Sequence, residues 1–418
     1  MPATKTTPMV DPKLSALAVN LHGRQIGIIN RLGGDRHLFS FEQDYIDDAN
    51  RRTLSLSFKS QSGGLVTSIR PVARKVPPFF SNLLPEGHLR TYLAEQAGVK
   101  PEREFFLLAT LGADLAGAVT VTPLSTGGSP LHDDDEGTHR GDPDDAILRF
   151  SLAGIQLKFS AVMESSGGLT VPARGIGGSW IVKLPSTQFK AVPENEYVML
   201  ALARAVGITL PEIRLVPVAN IHGLPEMATR VEGNALVVKR FDRVEGQRIH
   251  IEDFAQVFGL FPDDKYARRT YANIAAVLWV ETGGEGTYEY IRRLAYSVVI
   301  GNGDMHLKNW SLLYADGRTP TLSPAYDLVA TVPYIPNDRL ALNFGGSNSL
   351  TEIDLDQVRR LADKARLPVS PIWKIVQETV ERTKDEWQTF TQKELLPAEL
   401  RKSIDRHIQL VKLTAGVK

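Results

Sequence analysis

The sequence contains no cysteine among its 418 residues. Disulfide bridges, zinc–thiolate sites and a thiol nucleophile are therefore excluded. No apolar run approaches the roughly 20 residues needed to span a bilayer, and the first ten residues lack the apolar core of a secretory signal peptide. We therefore expect a cytoplasmic protein without a membrane partner.

The sequence also lacks net charge, because 48 Lys and Arg residues balance 48 Asp and Glu residues. This balance conceals one acidic segment, residues 124–145, in which seven acids and one arginine give a net charge of −6. The rest of the chain therefore carries +6, which is too diffuse to indicate a nucleic-acid binder. The average apolar and charged content instead indicates a globular protein of two or three domains.

The acidic segment 124–145 predicts a linker, since it is rich in Gly, Ser and Pro and has little to bury. Upstream of it, residues 12–123 predict a small α/β subdomain. Its expected strands are 14–19, 25–29, 37–41 and 54–58, and a helix over 79–94 is interrupted by Pro85.

Downstream of the linker, residues 146–241 predict a strand-rich lobe and residues 242–418 a mostly helical lobe. The expected strands of the first lobe are 157–163, 180–184 and 235–241, with a helix over 194–206 that Gly207 ends. The expected helices of the second lobe are 274–280, 288–300, 355–365, 372–388 and 398–411. The pattern predicts an α+β fold with a cleft between two lobes.

Residues 300–313 carry the strongest chemical signal. Asp304 and Asn309 lie five residues apart, which is the spacing of a phosphotransferase catalytic loop. In such a loop the aspartate orients the acceptor hydroxyl and the asparagine oxygen binds Mg²⁺. Asp327 follows the next strand-like segment and suits a second Mg²⁺ ligand.

A kinase also needs a cation for the nucleotide phosphates, and Lys183 on an alternating strand is the natural candidate. The following helix offers Glu196 as its ion-pair partner. Each residue alone also fits an ordinary role, as a snorkelling lysine or a solvated acid at a helix start. The order Lys, Glu, Asp, Asn, Asp along the chain matches a two-lobed kinase and favours the catalytic interpretation.

Together with further motifs, these residues resemble the HipA-like serine/threonine kinases, the toxin components of bacterial toxin–antitoxin pairs. The motifs lie at 79–86, 112–120, 150–158, 181–185, 195–197, 240–243, 252–260, 303–311 and 324–327. In order they cover most of residues 12–411. The resemblance implies a two-lobed kinase-like fold that binds ATP and Mg²⁺.

The resemblance also implies a role for each matching residue. Asp304 would be the catalytic base, Asn309 and Asp327 the Mg²⁺ ligands, and Lys183 the phosphate-binding lysine supported by Glu196. The other candidate nucleotide-binding residues are Ala153, Gly154, Ile155, Gln156 and Lys158, the hinge residues Lys239, Arg240 and Phe241, and His306 and Lys308 in the catalytic loop. His306, as the only histidine of that loop, also suits packing or orienting the backbone.

Ser151 matches the serine that family members autophosphorylate, and its phosphorylation would add charge that could expel the loop from the nucleotide site. The resemblance further implies a protein substrate, with aminoacyl-tRNA synthetases as the family precedent, and inhibition of translation. It implies a small helix-turn-helix antitoxin of the HipB type as partner. Contact with DNA is then expected only through that antitoxin.

Two alternatives remain open from the sequence. The segment Gly-Asp-x-His-x-x-Asn at 303–309 is also similar to the loop of aminoglycoside phosphotransferases, so the chain could be a small-molecule kinase. It could also be a catalytically silent pseudokinase that only assembles with an antitoxin. The intact Lys183, Asp304, Asn309 and Asp327 argue against the second alternative.

Overall fold

The structure is a computed structural model that describes residues 11, 13–124, 158–163, 169–171, 178–186, 188–224, 228 and 231–414. The candidate residues Ser151, Ala153, Gly154, Ile155 and Gln156 lie outside the described residues, as does 125–145 of the predicted linker. Leu124, predicted to begin that linker, instead belongs to the N-terminal subdomain. Its side chain is buried and its amide donates to the Ala16 carbonyl at 3.0 Å.

The N-terminal subdomain is an antiparallel sheet covered by short helices. Its strands are β1 (Ala16–Leu21), β2 (Arg24–Leu32), β3 (Arg36–Phe41), β4 (Val72–Ala73) and β5 (Val119–Pro123), and its helices are α1 (Gln43–Asp47), α2 (Pro78–Ser81), α3 (Gly87–Gln96) and α4 (Glu104–Leu111). The strand order is β4-β3-β2-β1-β5. The predicted hairpin of β1 and β2 is confirmed, and the helix predicted over 79–94 is divided into α2 and α3 around Pro85.

The strand predicted over 54–58 is wrong, because this segment forms a short 3₁₀ turn, Leu56–Phe58. The Ser55 hydroxyl accepts from the Ser57 amide at 3.1 Å and donates to Glu252 at 2.5 Å. Serine side chains that bond to nearby backbone offer the chain an alternative to strand pairing.

The nucleotide lobe contains a sheet whose order in the described part is β10-β7-β6-β8-β11-β9. Its elements are β6 (Lys158–Met163), β7 (Leu169–Thr170), β8 (Trp180–Lys183), α5 (Val192–Ala205), β9 (Ile213–Pro217), β10 (Ile221–His222) and β11 (Asn234–Lys239). The three predicted strands and the predicted helix are confirmed as β6, β8, β11 and α5, with ends that differ by one or two residues.

Both faces of this sheet are buried. Strand residues alternate between the two faces, so neighbouring residues of one strand pack into different cores. Leu236 and Val238 of β11 belong to the apolar core shared with α5 and the C-terminal lobe. Ala235 and Val237 belong to a second core shared with the N-terminal subdomain. The N-terminal subdomain and the nucleotide lobe are therefore packed into one apolar core.

The C-terminal lobe is mostly helical, as predicted. Its elements are β12 (Arg243–Val244), β13 (Gln247–Arg248), β14 (His250–Asp253), α6 (Phe254–Val257), α7 (Tyr271–Ile300), β15 (Ser311–Tyr314), β16 (Thr321–Leu322), β17 (Arg339–Phe344), β18 (Ser347–Ser349), α8 (Leu355–Ala365), α9 (Val369–Thr389) and α10 (Ala398–Leu410). The helices predicted over 274–280 and 288–300 are the two arms of α7, which is kinked at Gly283. None of the helices in the described part of the chain has the length and apolar character to cross a membrane.

Candidate active site

A cavity of about 920 Å³ lies between the two lobes and is the candidate active site. Elements from both lobes and from the N-terminal subdomain line it. Every described candidate residue contributes to its wall: Lys158, Lys183, Glu196, Lys239, Arg240, Phe241, Asp304, His306, Lys308, Asn309 and Asp327. The structure thus gathers residues from six separate motifs around one space.

The catalytic loop, residues 301–310, is shaped by two glycines. Gly301 ends α7 with φ +74°, a left-handed conformation that glycine adopts without steric cost. At Gly303 a Cβ would lie 2.6 Å from the Arg339 carbonyl oxygen, so only glycine fits this close approach. The Thr331 hydroxyl accepts from the Gly303 amide at 2.7 Å and lies 3.0 Å from the Gly301 carbonyl, which fastens the turn before Asp304.

Asp304 is the candidate base. Its amide donates to the Asn302 side-chain oxygen at 3.1 Å, and its carboxylate accepts from the Tyr266 hydroxyl at 2.8 Å. Burial raises the pKa of Asp304, and the hydrogen bond from Tyr266 acts in the opposite direction. A carboxylate with a raised pKa is a better proton acceptor than an ordinary surface aspartate.

Asn309 and Asp327 reach the cavity from consecutive segments. Asn309 Nδ2 donates to the main-chain oxygen of Asp304 at 2.7 Å, so its Oδ1 is the atom left to bind a metal. Asp327 has φ +54°, an uncommon conformation for a residue with a Cβ. Such a conformation costs on the order of 1–3 kcal/mol and persists where the surrounding structure holds it in place.

Two lysines meet at Asp327. Strands β6 and β8 pair in a register that places Lys158 opposite Lys183, and like charges in opposed positions repel each other. Asp327 offsets this repulsion: its Oδ2 lies 3.2 Å from Lys158 Nζ, and its carboxylate also accepts from Lys183, which donates to Glu196 as well.

Lys183 and Asp327 stay charged in the interior because each is paired with groups of opposite charge. Burial by itself would lower the pKa of Lys183, but the charges of Asp327 and Glu196 raise it above its usual value. Burial would likewise raise the pKa of Asp327, but Lys158 and Lys183 hold it well below its usual range. Both lysines are thereby directed towards the position of the candidate metal ligand.

The hinge consists of Lys239, Arg240 and Phe241. The amides of Lys239 and Arg240 already donate to main-chain carbonyls of neighbouring segments, both at 2.8 Å. The Arg240 guanidinium bonds to Asp242 at 2.9 and 2.8 Å, so this side chain anchors the hinge. The Phe241 ring lies 5.9 Å from the Tyr326 ring, and these two aromatic rings form an apolar wall beside Asp327.

His306 and Lys308 are oriented within the catalytic loop. His306 Nδ1 accepts from the Lys308 amide at 3.2 Å, and burial lowers the pKa of His306 to about 3, so the imidazole is neutral at physiological pH. Lys308 Nζ lies 2.8 Å from Glu86 Oε1 and donates to the Asn82 carbonyl at 3.1 Å. The Lys308 ammonium is therefore bound by the N-terminal subdomain.

The oxygen atoms at the site suit Mg²⁺, which takes one or two carboxylates together with phosphate oxygens and water. Asp327 offers a carboxylate and Asn309 an amide oxygen. Within the described ranges, no group of three or more His, Asp or Glu side chains is arranged to hold a metal. A magnesium ion here would therefore complete its coordination with phosphate and water.

Three residues with contacts to this site were not assigned from the sequence. Tyr266 bonds to the candidate base, Glu86 bonds to Lys308, and Thr331 fastens the catalytic loop. Glu86 ends the motif at 79–86, which contributes to the family resemblance but carries no recognisable chemical pattern. Tyr266 and Thr331 lie outside every motif and gave no signal.

Fold and site together define a two-lobed, kinase-like protein of the α+β class. A family model described as the HipA N-terminal domain matches residues 17–122, and one described as the HipA-like C-terminal domain matches residues 150–387. The chain belongs to the HipA-like kinase family.

Individual relatives agree with this assignment. The chain is 50% identical over 405 residues to the Sinorhizobium fredii protein named "Putative kinase Y4dM", which covers 96% of this chain and 98% of the relative. It is 26% identical over 346 residues to the Shewanella oneidensis "Serine/threonine-protein kinase toxin HipA". That match covers 73% of this chain and 74% of the relative. A chain of the solved Shewanella oneidensis complex of HipA, HipB and operator DNA has the same fold, with a TM-score of 0.71 and 21% sequence identity. The match covers 96% of this chain and 97% of the solved chain.

Proposed function

We propose that this chain is a serine/threonine protein kinase that uses ATP and Mg²⁺. The observation that supports the proposal is the convergence of Asp304, Asn309, Asp327 and the Lys183–Glu196 pair on one cavity between two lobes. These are the parts that phosphoryl transfer requires: a base, oxygen ligands for a metal, and a cation for the phosphates.

In the proposed reaction, the acceptor oxygen bonds to the γ-phosphorus, the bond from that phosphorus to the β,γ-bridging oxygen breaks, and ADP leaves. Asp304 takes the proton of the serine hydroxyl, and its raised pKa suits this role. Lys183 would pair with phosphate oxygens, a role supported by its ion pair with Glu196. Bound Mg²⁺ would offset charge on the transferred group.

The test is self-labelling from γ-labelled ATP by the wild type and by Asp304→Asn. This change keeps the size of the side chain and removes the proton acceptor, so we expect labelling to fall by at least about 10²-fold. The thermal unfolding temperature should stay near that of the wild type. Labelling by Asp304→Asn at the wild-type rate would contradict the assignment of the base.

We further propose that Ser151 is the autophosphorylated residue, a proposal supported by its place in the motif at 150–158. Ser151→Ala should therefore lose most of the self-label. Phosphorylation of added sugars or aminoglycosides, without any self-labelling by the wild type, would instead support a small-molecule kinase. A wild type that neither transfers phosphate nor gains thermal stability from Mg-ATP would support a pseudokinase.

The proposed partner is a small helix-turn-helix antitoxin of the HipB type. The solved complex of the structural neighbour contains HipA, HipB and operator DNA, and a relative carries the name of a kinase toxin. For the substrate we propose a protein serine, with aminoacyl-tRNA synthetases as the class suggested by the family resemblance. DNA would be reached only through the antitoxin.

A further inference from the structure

One carboxylate of the N-terminal subdomain contacts the catalytic loop. Glu86 directly precedes α3, and its Oε2 accepts from Lys265 Nζ at 2.7 Å while its Oε1 lies 2.8 Å from Lys308 Nζ. The three side chains are mostly buried, with exposed fractions of 14% for Glu86, 10% for Lys265 and 5% for Lys308. Glu86 itself does not line the cavity, but both lysines do.

The two lysines lie on the two segments that bond to the candidate base. Lys308 lies inside the catalytic loop, between Asp304 and Asn309. Lys265 lies next to Tyr266, which donates to Asp304, and the Lys265 carbonyl accepts from the Leu307 amide of the loop at 3.2 Å. Glu86 thus binds both segments that contact Asp304.

Electrostatics make this carboxylate difficult to replace. Two buried ammonium groups within 3 Å of one carboxylate would repel each other without it. Lys308 would keep only a longer contact, 3.9 Å, with Asp253, and removing one member of a buried ion pair is strongly destabilising. Burial by itself would raise the pKa of Glu86, but Lys308 and Lys265 lower it to about 2. The carboxylate is therefore charged across the pH range in which a kinase works.

We propose that Glu86 is a positioning residue for phosphoryl transfer, through which the N-terminal subdomain fixes the catalytic loop around Asp304. The proposal rests on the proposed kinase function. In the described structure Glu86 contacts neither the candidate metal ligands nor the hinge, and its contact with the candidate nucleotide-binding residue Lys308 binds that ammonium to the N-terminal subdomain. Its loss should therefore slow transfer more than it weakens nucleotide binding.

The test compares Glu86→Gln with the wild type in single-turnover self-labelling from γ-labelled ATP. Gln keeps the size of the side chain and removes its charge. We expect the transfer rate to fall by about 10- to 100-fold, because small displacements of catalytic groups have effects of this size. The affinity for Mg-ATP, measured by titration of the thermal unfolding temperature, should change by less than about threefold, and Glu86→Asp, which retains the charge, should recover part of the rate.

The matched control is Glu281→Gln. It removes a different ion pair between the N-terminal subdomain and the C-terminal lobe, that of Lys59 with Glu281 at 2.8 Å on the surface. Exposed pairs of this kind contribute little, so the transfer rate should stay within about twofold. Lys265→Gln removes one partner of Glu86 and provides a second test if Glu86→Gln does not fold.

The outcomes separate this inference from the proposed function. Wild-type transfer rates in both Glu86→Gln and Lys265→Gln would overturn the role of Glu86 alone. A loss of Mg-ATP affinity in step with the rate would also overturn it, because the effect would then lie in nucleotide binding. Absence of transfer by the wild type would remove the proposed function, and this inference with it.

Discussion

Tyr266 is the side chain that donates a hydrogen bond to the candidate base Asp304. Its ring packs edge-on against His306 at 5.0 Å, and its hydroxyl bonds to Asp304 at 2.8 Å. About half of the residue is exposed at the mouth of the cleft. One carboxylate oxygen of the base, Oδ1, therefore already accepts a hydrogen bond from the protein.

We expect Tyr266→Phe to shift the pH dependence of phosphoryl transfer. The base works only when deprotonated, so the rate falls as the pH falls through the pKa of Asp304. Removing the phenol donor destabilises the carboxylate and raises that pKa. The acid limb of the rate profile should therefore move to higher pH, by about half to one unit.

The control for this prediction is Tyr288→Phe, because the Tyr288 ring packs on Trp279 in α7, away from the base. Rates measured between pH 4 and pH 8 for the wild type and both variants check the expectation. An acid limb at the same pH in Tyr266→Phe and the wild type would show that the phenol does not influence the base.

At the scale of elements, the segments with a strong pattern were predicted well from the sequence. Helix α8 was predicted with the observed ends, because its apolar residues keep helical spacing and Asp354 caps its first turn. The 3₁₀ turn at Leu56–Phe58 was not predicted, because its cause is a contact between Ser55 and Glu252 that no local pattern reveals.

The same limit applies to the candidate site. Spacing and strand alternation were enough to propose Asp304, Asn309 and Lys183, which all line one cavity. Tyr266 lies 38 residues before Asp304, and Glu86 lies in another subdomain. Their roles depend on how separate elements pack together, which the local sequence does not encode in readable form.

Helix α5 and the segment after Asp327 are joined by Asn195, which is fully buried. Its Nδ2 donates to the Ala330 carbonyl at 2.9 Å and its Oδ1 accepts from the Ala330 amide at 3.2 Å. Nδ2 also lies 3.1 Å from the Tyr334 hydroxyl. Glu196 follows Asn195 directly, and Ala330 lies three residues after Asp327. The bonds between Asn195 and Ala330 therefore fix the position of Glu196 relative to Asp327.

Asn195→Ala should therefore destabilise the protein and weaken nucleotide binding together. The change leaves the Ala330 backbone groups unpaired in the interior, at a cost of about 1–3 kcal/mol each. Urea denaturation with and without Mg-ATP measures both effects. The control is Asn234→Ala, which removes a bond to Glu194 in a partly buried position. It should change the free energy of unfolding and the affinity for Mg-ATP by much less. Equal effects in the two variants would contradict the role of Asn195.

At the scale of the whole molecule, the N-terminal subdomain is attached to the hinge region as well as to the catalytic loop. Arg243, next to the hinge, donates to Asp114 at 3.0 Å and to the Gly117 carbonyl at 2.9 Å. The Gly117 amide donates to Asp242 at 2.9 Å. The subdomain thus bonds to elements that lie on two sides of the cavity.

A third attachment of the N-terminal subdomain is made through a buried carboxylate. Glu252 of β14 is fully buried; it accepts from the Ser55 hydroxyl at 2.5 Å, from the Leu56 amide at 3.0 Å and from the Tyr314 hydroxyl. No lysine or arginine is among these partners. Burial raises the pKa of Glu252 from its usual 4.5 to about 7, although the hydrogen bonds oppose this shift.

This raised pKa predicts that Glu252 lowers the free energy of unfolding as the pH rises from about 4.5 to 7. In that range the folded protein keeps the proton and the unfolded chain has released it, so stability decreases with pH, by on the order of a few kcal/mol in total. Below pH 4.5 both states are protonated, and this contribution is constant. His250, whose pKa burial lowers to about 4, acts in the opposite direction, so the wild-type curve alone does not isolate Glu252.

The decisive quantity is therefore the difference between the wild type and Glu252→Gln. The amide oxygen can accept from Leu56 and Tyr314 and the amide nitrogen can donate to the Ser55 hydroxyl oxygen, but the side chain cannot ionise. Urea unfolding of both proteins between pH 4.5 and 8 should give curves that diverge as the pH rises, with the variant gaining stability relative to the wild type. Parallel curves would mean that Glu252 is ionised in the folded protein, and attachment of the N-terminal subdomain through β14 would then be independent of pH.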